Sequence, residues 1–333
     1  MGLLTAAAGT ALFAALVWSV GPAEIWTGFR QIGWGLVWIL FLGGLRFAAR
    51  AAAWSLCVEP PHTLGFGDAF NAVVCGDALG NATPLGPLVG EPAKLACVRG
   101  RLPGAVALTA LAIENVIYTL SVAAMIAAGG IALLSIGGAG LRGGRVDLPL
   151  RVREFSEVAI AAIMVLFAAA LWVMWRRPAI IGTLFPAARA GGSRIGKLRA
   201  MEQQVLTFAS RRRRVVVPVV ALEVAFHALG VAEKHLTLWL ILGSPPALLT
   251  SFIVETTDRL ITVGFKFVPF QPGVGEAGTG LITHLLGLGA ATGVTVSIVR
   301  KARMGIWFLI GTALLVRRGL TARRVLEDAE LNG

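Results

Sequence analysis

Eight residues, Pro84-Leu85-Gly86-Pro87-Leu88-Val89-Gly90-Glu91, recur as Pro269-Phe270-Gln271-Pro272-Gly273-Val274-Gly275-Glu276, five of the eight identical at an offset of 185 positions. Each copy sets a carboxylate just after a proline- and glycine-broken turn inside otherwise apolar sequence. At membrane depth a carboxylate costs about 2.5–3.5 kcal/mol on insertion scales, which makes Glu91 and Glu276 functional candidates by default. The competing role is a cap on the short helix that follows, where the positive helix end favours an anion. Buried carboxylates can also carry protons near neutrality. A second anomaly is Arg300, Lys301 and Arg303, which interrupt the apolar run Ala290–Val316 near its middle. Either they form a short loop between two short helices, or they form a buried cationic site. In the second case a lipid phosphate is the natural ligand, because a guanidinium matches phosphate bidentately. Asn115 aligns with Arg300 at the same offset, beside Glu114, and Asp77 precedes the first turn. The candidate binding set is therefore Arg300, Lys301, Glu91, Glu276, Asp77 and Asn115, with Pro84, Pro269, Gly90 and Gly275 shaping the two turns.

The segments that must position these residues are long and apolar. The chain has 333 residues, 56% apolar and only 14% charged, against about 25% charged in soluble domains. Leu3–Val20, Trp34–Cys57, Ala105–Ile136 and Val158–Trp175 are each long enough for a membrane helix, which needs about 18–20 apolar residues. The alternating ten-residue strands of a barrel are missing. The expected fold is an all-α polytopic membrane protein. Leu3–Val20 has no basic region before it, so it reads as a retained helix rather than a signal peptide.

Residues 64–98 hold two apolar pieces too short to cross, split at Asn81-Ala82-Thr83-Pro84, with the second expected to begin at Glu91-Pro92 as cap and first-turn proline. Residues 249–288 repeat the plan as Leu249–Phe267 and Thr279–Leu288. Both read as re-entrant helical hairpins, tolerated at depth where they line a wet cavity or are buried in protein. The expected organisation is a first membrane repeat over 1–175, a basic loop over 176–214, a second repeat over 215–318 and a polar tail over 319–333.

The net charge of +12 is concentrated. Ten Lys/Arg lie between Arg176 and Arg214 against the single Glu202. Basic clusters flanking apolar segments are held on the cytoplasmic side, and they can also rest on anionic lipid heads; nucleic acid is not the expected partner. With that loop cytoplasmic, both termini are cytoplasmic and the chain lies in the cytoplasmic (inner) membrane. Three crossings separate the two motifs, so the hairpins enter from opposite faces. That is an inverted-topology repeat, the architecture of alternating access.

Cys57, Cys75 and Cys97 are dispersed, and the four histidines show no metal spacing, so no metal, cofactor or disulfide framework is expected. His227 and His235 read as hydrogen-bonded residues of a packed helix. No His-Glu-x-x-His, Gly-x-Ser-x-Gly or phosphate-binding loop ending in Lys-Ser or Lys-Thr occurs, so enzymatic activity is not expected.

Asp77 with Thr83-Pro84-x-x-Pro87-x-Val89-Gly90-Glu91, Pro269-x-x-Pro272-Gly273-Val274-Gly275-Glu276 and Arg300 resembles the flippase-like proteins, also described as the lysylphosphatidylglycerol synthase transmembrane region. The resemblance covers about residues 10–318. It implies a membrane unit that moves lipids between leaflets, aminoacylated phosphatidylglycerol or isoprenoid-type lipids included. Fused synthases of the family carry a soluble aminoacyl-transferase domain after the membrane part. Only Arg317–Gly333 follows here, so synthase activity is not expected. The reading that results is a translocase for a phosphate-bearing or isoprenoid-type lipid. Two alternatives are a membrane-embedded transferase for lipid-linked substrates and a non-transporting partner of an envelope-lipid biosynthesis enzyme.

Overall fold

A computed structural model describes residues 22–83, 86–139, 207–208, 211–266 and 268–317. The expected first helix, the Val158–Trp175 segment, most of the basic loop and the tail lie outside the described residues. Every named element among those described is a helix: α1 (Pro22–Ile32), α2 (Gly35–Cys57), α3 (Phe66–Ala82), α4 (Gly86–Cys97), α5 (Gly104–Ala139), α6 (Arg213–Leu242), α7 (Leu248–Gly264), α8 (Val274–Leu285) and α9 (Ala290–Arg317).

Three of these, Gly35–Cys57, Gly104–Ser135 and Arg214–Leu242, are long and apolar enough to cross a membrane. The polarity of the bundle runs opposite to that of a soluble protein. Trp38 and Phe41 on α2 with Trp34 just before it, Val217, Val220 and Val224 on α6, and Leu309 and Val316 on α9 point outward, whereas Arg46, Glu114, Glu233, Lys234, Glu255 and Asp258 are buried. An apolar exterior around a charged interior suits a hydrocarbon solvent.

The longest interface joins α2 to α6. The pair α3–α4 packs as a hairpin against α2 and α9, and α7–α8 packs against α5, α6 and α9. Two turns hold the second hairpin in place. Helix α6 ends at Gly243, whose φ of 72° lets its N–H reach the Trp239 carbonyl at 2.9 Å; Pro245 and Pro246 then prevent continuation. Ahead of α8, Phe270 and Gln271 both adopt positive φ, 51° and 47°, a region that non-glycine residues seldom occupy. The strain is offset by outside contacts. Phe270 N–H donates to the Asn81 carbonyl at the tip of the first hairpin (3.1 Å), and Gln271 Nε2 donates to the Thr262 carbonyl (3.0 Å). The two broken turns therefore meet.

The structure corrects one boundary. Helix α4 begins at Gly86, five residues before Glu91, so Pro92 lies inside it rather than in its first turn. The early start follows from close packing. A methyl on Gly90 would sit 2.7 Å from the Gly76 carbonyl oxygen, and α3 and α4 approach through Gly76, Gly80, Gly86 and Gly90. Small residues at such crossings let backbones touch, which is how helices associate without a hydrophobic drive. Glu91 is then too deep to cap α4. The second boundary also moves forward: α8 starts at Val274, which places Glu276 in its first turn.

Gly90→Ala should accordingly cost about 1–3 kcal/mol, the usual range for overpacking. Gly67→Ala, whose new methyl would meet nothing within 4 Å, should be neutral or slightly stabilising, since alanine favours the helix. Thermal unfolding of both variants in detergent checks the contrast; equal melting temperatures would remove the close crossing as the reason for the glycine.

Candidate functional site

A cavity of about 220 Å³ lies between the two hairpins, walled by α2 to α7, the turn at 268–271 and α9. Eight basic side chains line it (Arg46, Arg50, Lys94, Lys234, Arg259, Lys266, Arg300 and Arg303) against five acidic ones (Asp77, Glu91, Glu233, Glu255 and Asp258). Eight minus five leaves three positive charges in excess.

Most of these charges are held in pairs that tie helices together. Glu233 on α6 takes Arg46 of α2 on one oxygen and Arg303 of α9 on the other, both at 3.0 Å. Glu255 of α7 receives Arg259 at 2.9 Å, with Arg46 at 3.7 Å. Asp258 bridges Lys234 (2.9 Å) and Arg300, whose Nη2 also donates to the Thr262 hydroxyl (2.9 Å). On the other side Arg50 forks onto both oxygens of Glu114 (2.6 and 2.8 Å) and donates to Asn115 Oδ1 (3.1 Å). Asn115 Nδ2 in turn donates to Glu91 (3.0 Å), which also holds Lys94 (2.8 Å). Aromatic faces complete the sockets. Arg50 lies 3.8 Å from the centre of Tyr118, and Arg46 and Arg259 lie 4.6 and 5.4 Å from that of Phe226, in range for cation–π attraction.

Several cavity-lining donors are left without an acceptor among the described residues: Arg46 Nε, Arg259 Nε and Trp307 Nε1, all buried atoms. Lys266 lines the wall exposed and has no ion-pair partner among the described residues. Buried donors are rarely unmatched, so surplus N–H groups beside surplus positive charge make a site that favours an anion.

Of the residues singled out in the sequence, Arg300, Glu91, Asp77, Asn115 and Gly90 line the cavity. Asp77 accepts from Asn81 at 2.8 Å. The run around Arg300 is not a loop, because α9 is one helix from Ala290 to Arg317. Lys301 does not line the cavity. It reaches back to Glu276 and to the Gln271 carbonyl (3.0 Å). Glu276 is entirely buried, so the two glutamates do not share the cavity; the difference arises because a lysine on α9 covers one, whereas only an asparagine on α5 and the nearby Lys94 meet the other. Gly275 packs near Ser297, where an added methyl would be 3.0 Å from Oγ. Pro269 lies in the turn and Pro84 lies outside the described residues. His227 and His235 are hydrogen-bonded as expected, to Ser121 (2.9 Å) and Ser251 (3.0 Å). Among the described residues no cluster could hold a metal ion.

The sequence left Arg46, Arg50, Glu233, Lys234, Glu255, Asp258, Arg259 and Lys266 without individual roles. The signal for them was present, namely a charge inside an apolar window, but not which charge answered which.

A family model described as the lysylphosphatidylglycerol synthase TM region matches residues 3–311. No curated protein and no solved structure shows a significant match.

The pair Lys301–Glu276 gives a direct test of charge compensation. Lys301→Met should destabilise by about 3–5 kcal/mol, since it leaves a buried carboxylate unanswered. Adding Glu276→Gln should recover most of that loss. Chemical unfolding in detergent measures both; a double variant no more stable than Lys301→Met would show that the lysine is not there to neutralise the glutamate.

Proposed function

The chain belongs to the lysylphosphatidylglycerol synthase transmembrane-region family, a membrane protein of lipid modification or transport, and from that premise we propose that it translocates a phosphate-bearing or isoprenoid-type lipid across the cytoplasmic membrane. The observation that carries the proposal is the cavity, with eight basic against five acidic side chains inside an apolar shell. A headgroup phosphate would enter between the hairpins and compete for the guanidinium donors of Arg300, Arg259 and Arg46. The acyl or prenyl chains would remain in the bilayer, outside the charged interior.

An inverted repeat would fit the same reading. Shifting α2–α5 by 185 residues lays them on α6–α9, with ends that differ by three to seven residues at most termini. Packing follows the shift. The α3–α9 contact has its counterpart in α7–α5, α2–α3 in α6–α7, and α2–α5 in α6–α9, while α2–α6 maps onto itself. A pseudo-two-fold axis through the α2–α6 contact would generate that set. At 1.5 Å per residue the twelve residues of α4 and of α8 reach about 18 Å, well short of the roughly 30 Å core, as re-entrant half-helices would. Rocking of one half against the other would expose the cavity to each leaflet in turn.

Two outcomes follow. Arg300→Ala should reduce transfer of fluorescent phosphatidylglycerol between leaflets of proteoliposomes by about 10–100-fold, the value of a charge-assisted bond. Arg300→Lys should keep part of the rate, because an ammonium lacks the fork. Wild-type transfer in Arg300→Ala would remove this arginine from the path. For topology, a cysteine placed at Ser193 in the basic loop should resist an impermeant reagent in intact cells and react after lysis. Labelling in intact cells would invert the orientation.

A further inference from the structure

Glu223 on α6 is 1% exposed and has no hydrogen-bond donor among the described residues on either carboxylate oxygen. Across the α5–α6 contact it faces Glu114, which precedes Tyr118 by one turn as Glu223 precedes Phe226 and His227; the Tyr118 and Phe226 rings meet at 5.6 Å and Ser121 bonds His227 at 2.9 Å, and Glu114 is itself 2% exposed. Two carboxylates facing each other repel in a dry interior. The nearby cation lessens that repulsion but makes no hydrogen bond to Glu223. Arg50 of α2 spends Nε and Nη2 on Glu114 and Asn115, and none of its donors goes to Glu223.

The other charges around Glu223 are also committed. Lys94 of α4 is paired with Glu91, and Arg212, which precedes α6, bonds the Val58 carbonyl at 3.4 Å. Cys57 of α2 is a buried free thiol. On α7, Glu255 pairs with Arg259 and Arg46, and on α9 Arg303 pairs with Glu233. Among the described residues one guanidinium therefore faces two carboxyl groups, which leaves a proton as the missing donor.

We propose that Glu114 and Glu223 share a bound proton, and that this pair is the proton site linked to the cavity through Arg50. The inference rests on the lipid-translocation reading only for its use, not for the site itself. The link is a continuous chain. Glu91 in the cavity wall accepts from Asn115, Asn115 accepts from Arg50, and Arg50 forks onto Glu114, against Glu223. An anion in the cavity that draws Arg50 away from Glu114 leaves the two carboxyl groups without their one cation, and they take up a further proton. Linkage is reciprocal, so protonation of the pair frees Arg50 and strengthens anion binding by the same factor. Protons enter and leave as such, and no other bond changes.

Infrared spectroscopy of the full chain in lipid nanodiscs reads the site directly. At neutral pH the wild type should show a protonated-carboxyl C=O stretch that persists after hydrogen–deuterium exchange of exposed groups. That band should vanish in Glu223→Gln, which keeps the shape of a protonated glutamate and should melt at the wild-type temperature, and survive in Glu59→Gln, an exposed site. Addition of dihexanoylphosphatidylglycerol should cause proton uptake in weakly buffered solution by the wild type and not by Glu223→Gln. A wild type with no such band overturns the shared proton without recourse to any variant, as does a band unchanged in Glu223→Gln. A band without lipid-linked uptake keeps the proton site but overturns its link to the cavity. Failure of lipid transfer in proteoliposomes, with the band intact, counts against translocation alone.

Discussion

Everything in this bundle is arranged around the burial of charge within a shell that faces hydrocarbon. An ion moved from water into such an interior loses several kcal/mol that only close partners return, so each buried carboxylate dictates where its neighbouring helices stand. Glu233 fixes α2, α6 and α9 at one level because its two oxygens are claimed by Arg46 and Arg303. Asp258 does the same for α6, α7 and α9 through Lys234 and Arg300. These contacts act as staples between helices whose outer surfaces, being as apolar as lipid, give no preference for one neighbour over another.

Buried ion pairs are seldom more stabilising than well-packed apolar residues of the same volume. A lattice of them is therefore poor evidence for stability as its purpose. Its significance lies in what it leaves over. Had the acids and bases matched, the interior would be closed electrostatically. Instead the cavity lining holds eight basic against five acidic side chains, with Arg50 answered by Glu114 behind the wall, and buried N–H groups of Arg46, Arg259 and Trp307 have no acceptor among the described residues. The paired residues hold the walls, and the surplus sets the sign of the guest. Close glycine crossings such as Gly76–Gly90 serve the same end, bringing the first hairpin near enough for its tip to bond the second at Asn81 and Phe270.

Much of this was legible in the sequence, and the remainder has physical reasons for its silence. The long apolar runs, the paired broken turns and the anomaly at Arg300–Arg303 each announce themselves locally, since hydrocarbon solvation acts residue by residue. The start of α4 was misplaced because Glu91-Pro92 has the local chemistry of a helix start, whereas the true start at Gly86 depends on contact with Gly80 in another helix. Pairing was hidden for a similar reason. Arg46 and its partner Glu233 lie 187 residues apart, and nothing in either neighbourhood says that they meet. Trp54 and Trp239 illustrate the limit of the repeat: they align at the offset of 185, yet one is fully buried and the other 46% exposed.

That inequality extends to the chemistry. Glu91 and Glu276 occupy matching places in the two hairpins, and each holds a lysine ammonium, but the side chain of Glu91 is 34% exposed while that of Glu276 has no exposure at all. Halves of similar sequence need not sit in similar surroundings. At the α4–α5 side Asn115 leaves Glu91 in contact with the cavity, whereas at the α8–α9 side Lys301, bonded also to the Gln271 carbonyl, covers Glu276. The positive φ of Phe270 and Gln271 on that side is held by the Asn81 and Thr262 contacts, and the Gln271 carbonyl in turn bonds the lysine that covers Glu276, so one set of bonds shapes the turn and buries the carboxylate.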